Sequence, residues 1–231
     1  PKEIYTFIDT WKKNNPEWAY RYMSKNDRRN FILENYGKEW LDIFDGYTLN
    51  ALRTDLWRYL VLYKFGGLYV DLDITCNAPV ESWIMENDQF IISAEPGYTD
   101  LTQMIMASTP GHPLLKKILD SIKSISIDNI KNNIKYENRV EYNRLTTGYT
   151  IITNSIIDFL ELPTNFNFEI CDHRVYNSKA KDFGINIYRG EGSRFMFEKM
   201  ITHYRAGQGN LWDGYTAWFL DDWEDGWNKN V

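Results

Sequence analysis

The sequence predicts an α/β fold in a single domain over residues 1–231, and three observations carry that expectation. An amphipathic helix over Thr48–Phe65 ends at Gly66 and Gly67 and runs straight into a short strand, LYVDLDI. After Pro79 a second apolar strand follows at Gln89–Ala94 (QFIISA), completing a helix, turn, strand, loop, strand rhythm. The final third alternates short strand candidates (FEIC, INIYR, MITHYR) with loops, and no repeat or linker divides the chain.

Taken in order, Ile4, Phe7, Ile8 and Trp11 recur at helical spacing, so Lys2 to Asn14 reads as an amphipathic helix ended by Pro16. It is read as lying on a core rather than on a membrane surface. WAYRYM, Trp18 to Met23, is expected to be a short strand. Ser24 with Asp27 three residues later has the form of a capping box, opening a helix that runs to Tyr36 and stops at Gly37. In the helix over 48–65, Leu49, Leu52, Leu56, Tyr59, Leu60 and Tyr63 form one apolar stripe. His112 to about Ile127 is a further amphipathic helix, and the polar run DNIKNNIKYENRVEYNR after it reads as a surface excursion. TTGYTIITNSIIDFL carries a glycine followed by a helical pattern, and the tail GNLWDGYTAWFLDDWEDGW is dense in Trp and Asp. Trp218, Trp223 and Trp227 in that tail are read first as core residues, with an acceptor platform as the other use of their ring faces.

With 231 residues, the chain can build a core that needs no disulfide or metal staple. A formal net charge of −6 leaves no electrostatic footprint for nucleic acid or an anionic membrane. Nine Trp and sixteen Tyr are an aromatic excess, for which carbohydrate contact is one explanation. Cys76 and Cys171 are too few for a disulfide framework or a thiolate zinc site, which favours a reducing compartment, although one bridge between them stays open. No apolar run approaches the roughly 20 residues a spanning helix needs, and PKEIYTF lacks the shape of a signal peptide. Because the sequence starts at Pro1, a trimmed fragment with an upstream anchor stays open as well.

If LYVDLDI is one strand, Val70, Leu72 and Ile74 point one way and Tyr69, Asp71 and Asp73 the other. The two aspartates then share a face, with Cα atoms roughly 6–7 Å apart. Two anions that close repel each other and resist desolvation unless a cation is near. Mg²⁺ or Mn²⁺ with oxygen ligands is the natural counter-charge, and solvated strand-end polar residues are the plain alternative. DLDIT also spells the D-x-D-x-T signature of haloacid dehalogenase-like phosphatases, with Asp71 as a nucleophile and Asp221 and Asp222 as the distant acidic pair. That class expects its motif on a wholly apolar strand near the N-terminus, whereas this strand is short and opens from Gly-Gly.

The stretch before the motif separates these readings. RTDLWRYLVLYKFGGLYVDLD, Arg53 to Asp73, resembles the signature of glycosyltransferase family 32, the sugar-binding-region glycosyltransferases containing a DXD motif. DTWKKNNPEWAYRYMS is similar to that family's early S-W-x-x-x-x-P-x-x-x-Y segment, MASTPGHPLL to its S-x-P-G-H-P loop, and LTTGY to its T-G-P loop with Tyr149 in place of Pro. The family's nucleotide-binding first strand, I-P-K-x-I-H-Q, has no counterpart here and is expected to be missing. The resemblance extends to initiating α-1,6-mannosyltransferases and the glucosyltransferase domains of large glucosylating toxins.

It implies a GT-A type fold with a mixed central sheet flanked by helices, and retaining transfer of a hexose from a nucleotide-diphosphate sugar. Carried over, Asp73 binds Mn²⁺ or Mg²⁺ directly and Asp71 contacts the ribose and the metal. His203 and Asn210, in HYRAGQGNLW, are the further metal candidates. Asp55 and Arg58, one helical turn apart, are implied to hydrogen-bond donor-sugar hydroxyls, with an intrahelical salt bridge as the plain alternative. Arg53, Gly67, Tyr69 and Trp212 are also placed on the donor, Arg53 either as a sugar contact or as a support for Asp71. Gln103 and Asp100 are candidates to line the donor's β face during transfer. The implied partners are a UDP- or GDP-sugar and a glycan, lipid or protein acceptor. Localisation follows the host, cytoplasmic or membrane-peripheral in a bacterium or virus and the Golgi lumen for an anchored eukaryotic enzyme, with the cytoplasm expected first. A catalytically inactive sugar-nucleotide-binding module is the third class kept open.

Overall fold

A computed structural model describes residues 2–71, 74–82, 84–94, 100–132, 138–166, 168, 178–188 and 201–203, with the backbone alone at 2–4, 130–132, 139, 178, 188 and 201–203. Among these residues the fold is α/β, with a mixed four-stranded sheet and helices, as the sequence predicts.

The helix α1 (Lys2–Asn14) forms as expected. WAYRYM does not become a strand: Trp18 to Met23 have no ladder partner, and Trp18, Tyr20 and Tyr22 are exposed. Their alternation had no sheet to face. Lys12 instead lies over the Tyr20 ring, 4.8 Å from its centroid.

Ser24 and Asp27 make the expected capping box at the start of α2 (Lys25–Gly46). The helix does break at Gly37, whose φ of 81° suits glycine, but it resumes and continues to Gly46. α3 (Asn50–Phe65) is the spine of the core: Leu52, Leu56, Tyr59 and Leu60 are fully buried against α2 and the helix over Pro113–Asn132. Gly66 ends α3 by donating its N–H to Leu62 C=O (2.8 Å) at a φ of 66°. A Cβ there would sit 2.7 Å from both Ser108 O and Pro110 Cδ. Gly66→Ala is therefore expected to destabilise the fold by roughly 1–3 kcal/mol, read as a lower urea midpoint at unchanged slope.

LYVDLDI divides. Its first part is β1 (Gly67–Val70) and its last part begins β2 (Ile74–Cys76), which lies in a different sheet. An Ile74 N–H to Asp71 C=O hydrogen bond of 3.3 Å links the two. The expectation of one continuous strand is thus corrected, because the chain changes sheets between Val70 and Ile74; Leu72 and Asp73 themselves lie outside the described residues. The main sheet has the order β1-β4-β3-β5, with β3 (Phe90–Ala94), β4 (Leu101–Ser108) and β5 (Ile185–Tyr188). β4 is antiparallel to both neighbours, and β5 is parallel to β3. The β3–β4 register jumps from Ile92↔Met106 to Ser93↔Thr102, so Gln103, Met104 and Ile105 bulge away from β3. The second sheet pairs β2 with β6 (Ile201–His203).

β2 also has a non-strand partner. On its other side, Trp11 Nε1 donates to Ile74 C=O (2.7 Å), Asn14 Nδ2 to Cys76 C=O (2.7 Å), and Cys76 N–H to Thr10 Oγ1 (2.8 Å). Side chains of α1 therefore do for β2 what a neighbouring strand's backbone would do. Asn15 adds an acceptor for Val80 N–H and a donor to the buried free thiol of Cys76, while Cys171 lies outside the described residues.

α4 (Pro113–Asn132) runs further than its sequence pattern suggested. The polar run after it is also largely helical, since α5 (Arg139–Thr146) occupies its second half. The surface-excursion reading fails because α5 packs against α3, α4 and α6 (Tyr149–Leu160). The short α7 (Ser178–Asp182) leads into β5. FEIC beyond Phe168 and the Trp-rich tail, with Trp218, Trp223 and Trp227, lie outside the described residues.

His112 caps α4. Its Nδ1 accepts from Leu114 N–H (3.2 Å), so the ring proton sits on Nε2, 2.9 Å from Phe183 C=O. Burial holds its pKa below the usual 6.5, opposed by the Phe183 carbonyl. The unfolded chain thus takes up a proton on this ring more readily than the folded one. The stability due to neutral His112 is complete above pH 6.5 and is lost as the pH falls below it towards the folded pKa. Urea midpoints at pH 7.5 and 5.0 should show this loss, and His112→Asn should reduce it.

Candidate active site

The site is built where α3, β1 and the bulge of β4 meet the turn between α5 and α6. Asp55 and Arg58 lie one turn apart on α3 and pair through Asp55 Oδ1 and Arg58 Nη2 at 2.9 Å. They are only 3% and 4% exposed, so each polar atom needs a partner. Partners for all but Arg58 Nε come from three other elements among the described residues. Arg58 Nη1 donates to Gln103 C=O (2.6 Å), a carbonyl that the bulge turns away from β3. Arg58 Nη2 also reaches Asp71 Oδ1 at 3.4 Å, and the guanidinium lies over the Tyr69 ring at 4.5 Å. Tyr69 OH donates to Asp71 Oδ1 (2.8 Å).

Asp55 Oδ2 accepts from Asn143 Nδ2 (2.8 Å) and Thr147 Oγ1 (3.1 Å). Tyr59 OH sits between Gln103 Oε1 (2.6 Å) and Thr147 C=O (2.8 Å). A phenol has one hydrogen, which these two acceptors share, and the Gln103 amide keeps its NH₂ for the Asp55 carboxylate.

Electrostatics follow from burial. Desolvation pushes the Asp55 carboxyl above its ordinary range, and Arg58, Asn143 and Thr147 work against that push. Burial by itself would lower the pKa of Arg58, but Tyr69, Asp71 and Asp55 around it raise it above the ordinary value, so the guanidinium stays charged. Burial likewise raises Tyr59 and Tyr69, which remain phenols able to donate. The result is a fixed cation braced by one buried carboxylate and facing a second, Asp71, whose side chain is 30% exposed.

Asp55, Arg58, Tyr69, Asp71 and Gln103 thus come together as one cluster. Gly67, at a φ of 91°, opens β1 opposite Ser108, at the end of the strand away from Asp71. Asp100 stands just before β4, 3.8 Å from Arg144 and 3.4 Å from Thr150. Arg53 donates to the Phe44 and Asp45 carbonyls at the end of α2 and to Asn50 Oδ1. Asp73, Asn210 and Trp212 lie outside the described residues, as does the side chain of His203. The backbone of His203 pairs with Ile74, the residue after Asp73, which brings β6 to the D-x-D end of β2.

Among the described residues no three His, Cys, Asp or Glu side chains converge on one point. The donor set near the motif nevertheless suits a hard cation, because Asp71 has its Oδ1 anchored while its carboxylate is partly open to solvent.

The sequence reading did not single out Asn143, Thr147 or Tyr59 as site residues. Thr147 lay in the quoted LTTGY motif, and Tyr59 in the apolar stripe, but Asn143 was hidden in a polar run without periodicity. Tyr149 in place of proline leaves the loop intact, since α6 starts at that residue with Gly148 as its N-cap.

Residues 1–90 match the family described as glycosyltransferase sugar-binding region containing DXD motif. The match takes in the helix with Asp55 and Arg58 and both aspartates of the D-x-D. An inositol phosphoceramide mannosyltransferase from Schizosaccharomyces pombe is 33% identical over 115 residues, 47% of this chain and 30% of that protein. An initiation-specific alpha-1,6-mannosyltransferase from the same yeast is 26% identical over 184 residues, 69% of this chain and 45% of that protein. A glycosyltransferase of Acanthamoeba polyphaga mimivirus is 24% identical over 167 residues, 71% of this chain and 62% of its own length. Among solved structures, the PaToxG glycosyltransferase aligns with a TM-score of 0.45 at 22% identity, covering 68% of this chain and 62% of that one. The chain spans from about a third to under two thirds of the length of these curated relatives. No helix among the described residues is long and apolar enough to cross a membrane.

Proposed function

We propose that this chain is a retaining, metal-dependent glycosyltransferase of GT-A type that moves a hexose from a nucleotide-diphosphate sugar to a hydroxyl acceptor. The observation that supports it best is the meeting of Arg58 with Asp71. The helix motif and the first aspartate of the D-x-D are held 3.4 Å apart, with a second carboxylate fixing the guanidinium from behind.

In this reading Asp71, Asp73 and His203 hold a divalent ion, Mn²⁺ or Mg²⁺, with Asn210 nearby. The ion, when bound, neutralises the charge that gathers on the diphosphate as the bond to the sugar breaks. Arg58 and Asp55 orient the sugar hydroxyls, and Tyr69 keeps the Asp71 carboxylate in place. Gln103, tied to both Arg58 and Tyr59, fixes the floor of the donor site. The acceptor oxygen bonds to the anomeric carbon on the face the diphosphate leaves, and its proton passes to the departing phosphate oxygen. Relatives named as mannosyltransferases make GDP-mannose the first donor to try.

A thermal-shift panel of UDP- and GDP-sugars, each with and without Mn²⁺, tests this. One nucleotide class should raise the unfolding midpoint by roughly 5 °C or more at saturating donor, and only with the metal. A panel in which no sugar nucleotide shifts the midpoint would contradict the reading.

A further inference from the structure

We infer that Asn143 is a positioning residue of the donor site and sets how sharply the site distinguishes epimeric sugars. The inference rests on the transferase reading above and extends it to a residue in the polar run before the TTGY loop.

Asp55 is held at both carboxylate oxygens. One of its oxygens is taken by Arg58, and the other is held by two donors, Asn143 Nδ2 and Thr147 Oγ1, brought from the opposite side of the site by the α5–α6 turn. In a group this buried, the direction of each lone pair is fixed by its donors rather than by water. Asn143 is itself locked. Its carbonyl accepts from both Thr147 N–H (3.1 Å) and Gly148 N–H (2.7 Å). A Cβ on residue 148 would stand 2.8 Å from Asn143 Oδ1 and 2.9 Å from its carbonyl oxygen, so only glycine lets the backbone come this close. Asn143 therefore has one place to put its amide, and that place sets the angle of the Asp55 carboxylate. Arg58, fixed between Asp55, Gln103 and Asp71, inherits that angle.

Sites that discriminate a hydroxyl do so by leaving their own buried polar groups unpaired when the wrong epimer binds. That penalty requires groups which cannot turn to follow the ligand. Without the Asn143 amide, Asp55 keeps Thr147, Gln103 and Arg58 but loses the donor that sets its angle, so it can turn to follow either epimer. A residue that served stability alone would lower the rates with both epimers together.

The test compares donor hydrolysis in Mn²⁺ for the pairs GDP-mannose with GDP-glucose and UDP-glucose with UDP-galactose, in the full chain. For the pair containing the preferred donor, Asn143→Ala should reduce the ratio of kcat/KM values about tenfold, mainly through the donor KM of the preferred sugar. Thr147→Ser, which keeps the hydroxyl, should leave the ratio near that of the unsubstituted chain. Rates are referred to the folded fraction measured by circular dichroism, and Asn143→Ser serves in the same way if the alanine variant does not fold. An unchanged ratio in folded Asn143 variants, with or without a common loss of rate, overturns the inference and leaves the transferase reading standing. No turnover of any of these donors by the unsubstituted chain overturns both.

Discussion

Asp71→Asn is expected to lower Mn²⁺-supported turnover of the sugar nucleotide by about 10²–10³-fold. The thermal midpoint should move little. Asparagine keeps an oxygen that can accept from Tyr69 OH and from Arg58, so the contacts that fix the side chain survive, while the charge facing the donor is lost. The carboxylate is partly exposed, which makes its removal mild for folding. Asp73→Asn is expected to give a similar loss, since in the proposed mechanism both aspartates of the motif hold the same ion. Initial rates of nucleotide release check both variants, and a loss below tenfold in either would remove that carboxylate from the chemistry.

Arg58→Ala is expected to have the largest effect on stability, roughly 3–5 kcal/mol. The reason lies in what remains after the guanidinium has gone. Asp55 loses its counter-charge in a site shielded from water, where it must stay charged and unpaired or take up a proton, and the Gln103 carbonyl loses its donor. Neutralising the stranded acid should then recover part of the loss. In Arg58→Met with Asp55→Asn, the asparagine still offers an oxygen to Asn143 and Thr147, so the double variant should be more stable than Arg58→Ala and still inactive. Urea unfolding with turnover assays separates the two effects. A double variant that retains activity would show that the pair serves only to hold the fold.

These expectations bear on what could be read from residues alone. Hydrophobic periodicity is a local signal, and it located α1, α3 and α6 well because each buries one face against a core, while β3 was legible as a continuous apolar run buried on both faces. The capping box at Ser24 was equally local. Alternation misled at Trp18–Met23, where aromatic residues stand in solvent, and at LYVDLDI, where the chain changes sheets within an apparently continuous strand. The break depends on β4 and β6, which are distant in sequence, so no window around the motif contains the cause. The same holds for the site. Asp55, Arg58 and Asp71 belong to one short stretch and were legible as a motif, whereas Asn143 and the bulged carbonyl of Gln103 enter only through tertiary packing. Polar residues on a half-buried helix such as α5 carry the composition of a surface segment, and it is their partners that give them a role.

The central claim is that the D-x-D carboxylates and the braced Arg58 form one anchor for a nucleotide diphosphate through a divalent ion. Calorimetric titration of GDP and of UDP into the full chain, with and without Mn²⁺, tests it most directly. One nucleotide should bind at least tenfold more tightly with the metal, and that gain should vanish in Asp71→Asn. Binding that is indifferent to Mn²⁺, or a metal effect that survives the substitution, would contradict the account.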